Sequence, residues 1–115
     1  MQTEQKNPLL PLLQFLPAQI EGALTLADLD METTIAAKAP FGVARFSVGP
    51  GETAPVDSHA SHEIWVITEG EGELLYEGRV TRLLAENACY IEPPKPHQLR
   101  NTGATILRAI SIWWR

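Results

Sequence analysis

From Phe41 to the C-terminal end of the chain, apolar positions recur in short runs separated by glycine and proline. FGVARFSV (Phe41 to Val48) is followed by Gly49, Pro50 and Gly51 and reads as a strand. EIWVIT (Glu63 to Thr68) is rich in β-branched and aromatic side chains and stops at Gly70 and Gly72. ELLYEGRVTRLL, residues 73–84, reads as a hairpin turning at Glu77-Gly78, a weaker turn pair than Asn-Gly. NACYIEP is a further strand that ends at Pro93, Pro94 and Pro96. ATILRAISIWWR (Ala104 to Arg115) alternates Ile106, Arg108, Ile110 and Ile112 against Leu107, Ala109, Ser111 and Trp113, the two-residue period of a strand. Short strands at close spacing with Gly/Pro punctuation predict an all-β sandwich or small barrel.

Upstream of Phe41 the pattern weakens. Residues 18–40 carry no clean period, although Thr33, Thr34 and Ile35 could begin a strand. PLLPLLQFLP (Pro8 to Pro17) is apolar, but Pro8, Pro11 and Pro17 break it, Glu4 offsets Lys6, and no small-residue cleavage site follows cleanly, so it does not read as a signal peptide. It is also too short to span a bilayer as a helix. Residues 1–17 are expected to form an extended arm that packs on the body or on a second subunit. Residues 1–40 then hold the arm and the first strand or strands, and residues 41–115 the barrel.

Composition narrows the function. A chain of 115 residues is expected to fold as one domain, and its 44% hydrophobic content is enough for a core without a disulfide or structural metal. The net charge of -5 and the scatter of Lys6, Lys38 and Lys95 argue against a nucleic-acid partner, whose phosphates reward clustered cations. Cys89 is the single cysteine, so no intramolecular disulfide can form, which fits a reducing, cytoplasmic setting. Its context, ACYI, reads as a buried strand, and a packed thiol is expected there instead of a reactive one.

The chemistry concentrates between Asp57 and Glu63, in DSHASHE. Asp57 and His59 are two apart and share a strand face; Glu63 keeps that parity if the segment stays extended, and His62 has the opposite one. Imidazole plus carboxylate suits divalent first-row metals, and two histidines with one carboxylate is the usual donor set of non-haem iron. The remaining histidine, His97, follows PPKP, where prolines fix the backbone. The competing reading is a solvated loop with Asp57 capping a turn, and for His62 alone a surface or hydrogen-bonding role.

These spacings resemble the first motif of the cupin superfamily, G(X)5HXH(X)3-4E(X)6G. Gly51 is followed by five residues, then by Asp57 where the first histidine is expected, then by Ser58, His59, three residues, Glu63, six residues and Gly70. The second motif, G(X)5PXG(X)2H(X)3N, is looser: His97 and Asn101 match, while Glu86, Glu92 and Pro94 replace its glycines and proline. The resemblance covers roughly residues 41–115. It implies a single-domain jelly-roll β-barrel with one divalent transition metal (iron, or zinc, manganese or nickel) held by His59, Glu63 and His97. For Asp57 three roles are open: a ligand, giving two histidines and two carboxylates; an acceptor behind the ligands; or a bystander, with His62 swung in after a bulge.

A cupin barrel hosts many activities, so the chemistry must come from the cavity. Parity places Trp65 and Ile67 on the side of Glu63. Arg45, Tyr76, Tyr90, Arg100 and Arg108 are candidates for orienting a substrate. Arg108 either faces inward, favouring a carboxylate- or enolate-bearing ligand, or pairs with a glutamate on the surface. The leading expectation is a metal-dependent enzyme acting on a small oxygen-rich metabolite, leaning to a non-haem-iron dioxygenase. An isomerase, cyclase or lyase with Glu63 or Asp57 as base is the alternative, and a non-catalytic binder of a sugar or organic acid is the second. The apolar arm and the terminal IWW predict a homodimer.

Overall fold

The computed structural model describes residues 10–32 and 38–115; the strand start at Thr33–Ile35 and the first nine residues of the arm lie outside them. The described residues form β1 (Gln19–Glu21), β2 (Leu24–Asp28), β3 (Gly42–Val48), β4 (His62–Glu69), β5 (Glu71–Tyr76), β6 (Arg79–Leu84), β7 (Ala88–Ile91), β8 (His97–Asn101) and β9 (Leu107–Trp114). Six strands make one antiparallel sheet in the order β1-β2-β3-β9-β4-β7, and three make a second in the order β6-β5-β8. The two inner faces meet over one core, to which Phe46, Val48, Trp65, Ile67, Leu74, Leu83, Ile91, Leu99 and Leu107 all contribute. This is the all-β jelly-roll architecture expected from residues 41–115. Among the described residues no helix is long and apolar enough to cross a membrane.

Strand alternation sorts each side chain. On β4, Glu63, Trp65 and Ile67 point inward; on β9, Leu107, Ala109 and Ser111 do the same, with Trp65 opposite Ser111 and Ile67 opposite Ala109. Each large apolar side chain so buried contributes roughly 1.5–3 kcal/mol. Gly70 carries the chain from β4 in one sheet to β5 in the other. It sits at φ 83°, and a Cβ there would collide with the Ile106 carbonyl, so only glycine fits. The hairpin between β5 and β6 turns where expected. Glu77 and Gly78 both adopt positive φ, 55° and 74°, the signature of a turn whose twist matches the strands it joins.

Three strands escaped the sequence pattern. β1 and β2 lie in the stretch without a period: β1 is exposed throughout, and the outward face of β2 is exposed at Thr25 but covered at Ala27. Leu24 and Leu26 pack toward the core, while Ala27, on the opposite parity, is buried near Leu16 of the arm and Ala18. β8 was hidden because two of its three inward positions, His97 and Asn101, are polar. The described part of the arm runs along its own body. Leu16 N–H donates to the Asp28 carbonyl, Asp30 N–H donates to the Gln14 carbonyl, and the Phe15 ring lies 4.0 Å from the Arg45 guanidinium.

Asn101, fully buried, ties the end of β8 to its surroundings. Its Nδ2 donates to the carbonyls of Val48 (2.9 Å) and Thr105 (2.8 Å), and its Oδ1 accepts from Gly103 N–H (2.8 Å). Asn101→Leu keeps the volume but strands three backbone groups. A loss of about 3 kcal/mol is expected in urea denaturation; a loss below about 1 kcal/mol would count against this role.

Candidate metal centre

His97 is placed by a loop that is fastened at several points. Lys95 reaches Glu92 (2.9 Å) and Glu77 (3.0 Å), joining the loop to the β5–β6 turn, and the Tyr76 hydroxyl accepts from Glu92 N–H (3.0 Å). Hydrogen bonding to Lys95, and its charge, hold the Glu92 carboxyl below its usual range, and the same contact with Glu92 raises the Lys95 ammonium. Both groups are exposed, so the contribution to stability is small. The consequence is geometric: the loop presents the Lys95 carbonyl to the His97 ring. His97 and Asp57 then exchange both backbone hydrogen bonds, 2.9 Å each, which anchors the Asp57 segment beside β8.

The two site imidazoles are held in the same way. His97 Nδ1 lies 3.0 Å from the Lys95 carbonyl, and His59 Nδ1 lies 3.0 Å from the Ser61 carbonyl. A carbonyl oxygen only accepts, so a neutral ring that donates through Nδ1 keeps an Nε2 lone pair for a metal; without a metal, the 2.8 Å contact of His59 Nε2 with Glu63 Oε1 is a hydrogen bond that Nε2 donates. Both Nε2 atoms face the same carboxylate oxygen. Glu63 Oε1 lies 2.8 Å from His59 Nε2 and 3.8 Å from His97 Nε2. The other Glu63 oxygen accepts a hydrogen bond from Ser111 Oγ, which fixes the carboxylate plane. Three lone pairs thus converge with no donor of their own between them unless a ring takes a second proton. A cation at that point satisfies all three, and the donor set fits a first-row divalent metal. Asp57, His59 and His97 also place one ligand atom each within 4.8 Å of one another. Asp57 Oδ1 accepts from Ser58 N–H (2.8 Å), and its side chain is exposed at the mouth of the site.

His62 is turned away from this cluster. It begins β4 on the outward face, stacks against Trp114 (centroids 5.4 Å apart, planes at 8°) and Tyr90 (5.9 Å, 14°), and bonds through Nδ1 to the Tyr90 hydroxyl. The register shift in β4 falls between Ile67 and Glu69, not between Ser58 and His62, so no bulge brings His62 inward.

Two chambers that share Leu26, Asp57 and Glu63 in their walls flank the cluster. One, of about 290 Å³, lies between the sheets against Leu24, Leu26, Phe46, Trp65 and Leu99 and reaches Asp57, Glu63 and His97. The other, of about 250 Å³, opens beside Asp28, His59, Ser61, Ser111 and Trp113. Trp65 forms the wall nearest His97, with ring centroids 5.6 Å apart. The remaining substrate-orienting candidates sit elsewhere. Arg45 covers Phe15; Arg108 pairs with Glu69 at 3.0 Å on the outer surface; Tyr76 fastens the loop before His97; Tyr90 stacks on His62; and Arg100 is exposed on β8. Arg108 lies outside because β9 turns Leu107, Ala109 and Ser111 inward. Cys89 is half-buried, and burial pushes its thiol up to about 11, in keeping with a packed, unreactive group. Two site residues had no place in the sequence expectation, Ser111 and Asp28. The first was detectable as a polar residue on the Leu107–Ala109 parity.

The family model described as Cupin domain matches residues 44–113. A mannose-1-phosphate guanylyltransferase from Sinorhizobium fredii is 33% identical over 73 residues, covering 63% of this chain and 14% of its own; the chain therefore spans only a small part of that relative. Among solved structures, a Cupin 2 conserved barrel domain protein from Salinispora arenicola is similar at a TM-score of 0.76 and 25% identity, covering 86% of this chain and 82% of its own. The DMSP lyase DddQ from Ruegeria pomeroyi is similar at a TM-score of 0.62 and 25% identity, over 66% of this chain and 39% of its own. The chain belongs to the cupin domain family.

If the convergent lone pairs hold a metal, His97→Ala should lower bound first-row metal to under about a tenth of wild type, and Ser111→Ala should weaken affinity roughly tenfold. His62→Ala should leave metal content unchanged. Metal analysis of protein purified without chelator checks all three; full occupancy in His97→Ala would exclude the centre.

Proposed function

We propose that this cupin is a small metal-dependent enzyme whose ion is held by His59, Glu63 and His97, with Asp57 as a fourth group at the open side. The preferred chemistry is that of a non-haem iron(II) dioxygenase. The observation that carries the reading is the meeting of two Nε2 lone pairs and one Glu63 oxygen, a two-histidine, one-carboxylate set with the chamber on its free side. Iron(II) bound there would supply open coordination positions for a chelating oxygen-rich substrate and for O2.

The chain's own residues supply the rest. Lys95 and Ser61 carbonyls keep both rings in the ligating tautomer, and Ser111 aims Glu63. Phe46, Leu26, Trp65 and Leu99 pack the body of a small organic molecule against the centre and exclude water from it. A second reading, metal-assisted elimination, draws support from the likeness to a DMSP lyase. There Asp57, exposed and with Oδ2 free of the Ser58 bond, would accept the proton.

Oxygen electrode traces separate the two. Iron(II)-reconstituted protein given diketone, flavonoid-like or amino-thiol compounds should consume O2 in proportion to substrate lost. Turnover that proceeds without O2 uptake, and equally well with zinc, would replace the oxygenase reading by the elimination one.

The working unit is proposed to be a two-fold homodimer. Val43, Ile112 and Ile64 stand in one row across β3, β9 and β4, and Ile110 and Val66 in the next, all on the outward face. With Tyr90 and Trp114 they make an apolar patch on the order of 400 Å². Leu10 and Leu12 of the arm and Ile20 of β1 add to it, each about three-quarters exposed. A second copy of the same patch is its natural complement, since a two-fold contact is self-matching. Light scattering should give a dimer mass for wild type and a monomer mass for Ile112→Glu; a monomeric wild type would remove this part of the proposal.

A further inference from the structure

We propose that Asp28 sets the specificity of this centre, holding the hydrogen-bond-donating end (hydroxyl or ammonium) of a substrate that carries no negative charge. The inference rests on the metal-centre reading above and adds the class of molecule that the centre accepts.

Asp28 ends β2 on the inward parity. The sheet register sets it opposite Ala44, and Ala44 opposite Ser111. Ser111 is the residue that aims Glu63, so Asp28 stands two strands away, about 10 Å across the sheet, in the same row. Ala44 between them is small and buried, which leaves the space above it open as the chamber that Asp28 shares with His59 and Glu63. A ligand bound at the imidazole cluster and extending over Ala44 would meet the Asp28 carboxylate with its far end. Asp28 is half-buried, and among the described residues no side chain pairs with it.

Charge gives the class. Among the described residues the two chambers are lined by the acidic Glu21, Asp28, Asp57 and Glu63, and by no lysine or arginine. The cations closest in sequence register are spent elsewhere: Arg45 faces outward over Phe15, and Arg108 faces outward against Glu69. Even a divalent ion leaves the chambers net negative while the carboxylates are ionised. An anionic tail placed against Asp28 would meet like charge in a partly desolvated space, whereas a hydroxyl or ammonium would find an acceptor without a competing partner.

The test uses the cobalt(II)-loaded protein and three hydroxamates that share one chelating head and differ only in the far end. These are β-alanine hydroxamate (ammonium), butyrohydroxamate (neutral) and succinic acid monohydroxamate (carboxylate). Affinities are read at pH 7 from the cobalt absorption bands. In wild type the ammonium-tailed ligand should bind at least about tenfold tighter than the carboxylate-tailed one, the size of one charge contact at this separation. Asp28→Asn should cut that ratio several-fold while cobalt stoichiometry and butyrohydroxamate affinity stay put. A wild-type ratio near one or inverted, or a ratio unchanged in Asp28→Asn, overturns the assignment. Wild type that takes up no cobalt instead overturns the metal centre itself, so the two failures are told apart by metal content measured first.

Discussion

Two hydrogen bonds from imidazole Nδ1 atoms to backbone carbonyls govern the rest of the site. Ser61 and Lys95 carbonyls can only accept, so His59 and His97, as neutral rings donating there, offer Nε2 lone pairs on the side of Glu63 for a metal to take. The carbonyls are in place because the backbone is fixed on either side. Ser61 immediately precedes β4, and Lys95 is tied to Glu77 and Glu92. The chemistry is therefore built from main-chain geometry, which a β-sandwich holds more firmly than side-chain contacts alone would. Ser111 completes the arrangement from the opposite strand, since its hydroxyl occupies one Glu63 oxygen and leaves the other to face the rings.

That dependence explains which parts of the site were legible in the sequence. His59 and Glu63 are four apart around the entry to an alternating strand, and the resemblance to the two cupin motifs joined His97, which follows a proline-rich turn, to them on paper. Parity also set His62 apart, with entry after a bulge left open, and its stacking against Trp114 and Tyr90 on the outer face is the structural counterpart of its odd position. Asp28 is different. Its link to the centre runs through strand pairing between residues far apart in the chain, and LTLAD gives no alternation because Ala27 is buried on the face that should be exposed. A strand partly covered on its second side loses the period that would announce it.

Arg108 shows the same limit from the other direction. Ile106, Arg108, Ile110 and Ile112 form one side of β9, and Leu107, Ala109, Ser111 and Trp113 the other; hydrophobicity does not say which side faces the core. The structure decides it by placing Leu107 and Ala109 among the buried residues and leaving Arg108 with Glu69. The isoleucine-bearing side is also apolar, with Val43, Ile112 and Ile64 in one half-buried row on the outer face, so the two faces of β9 could not be told apart by hydrophobicity; on the proposed dimer reading that row belongs to an interface.

The aspartate at position 57 acquires a meaning from this charge distribution. An imidazole in its place would add a neutral ligand and close the mouth of the chamber; a carboxylate is shorter and brings negative charge. With Glu63 it would give the ion two anionic partners, and Asp28 stands within the same enclosure. On the proposed reading, anionic ligands reduce the Lewis acidity of the ion and favour its higher oxidation state, which suits an electron-giving metal better than a carbonyl-polarising one. The same charges repel a carboxylate substrate, so the chelating group that displaces water from the centre should be a weakly charged enol, diol or carbonyl. The substitution that departs from the family motif, the inward Asp28 and the absence of arginine from the chamber walls therefore point to one electrostatic design, an acidic pocket that draws in neutral or cationic ligands.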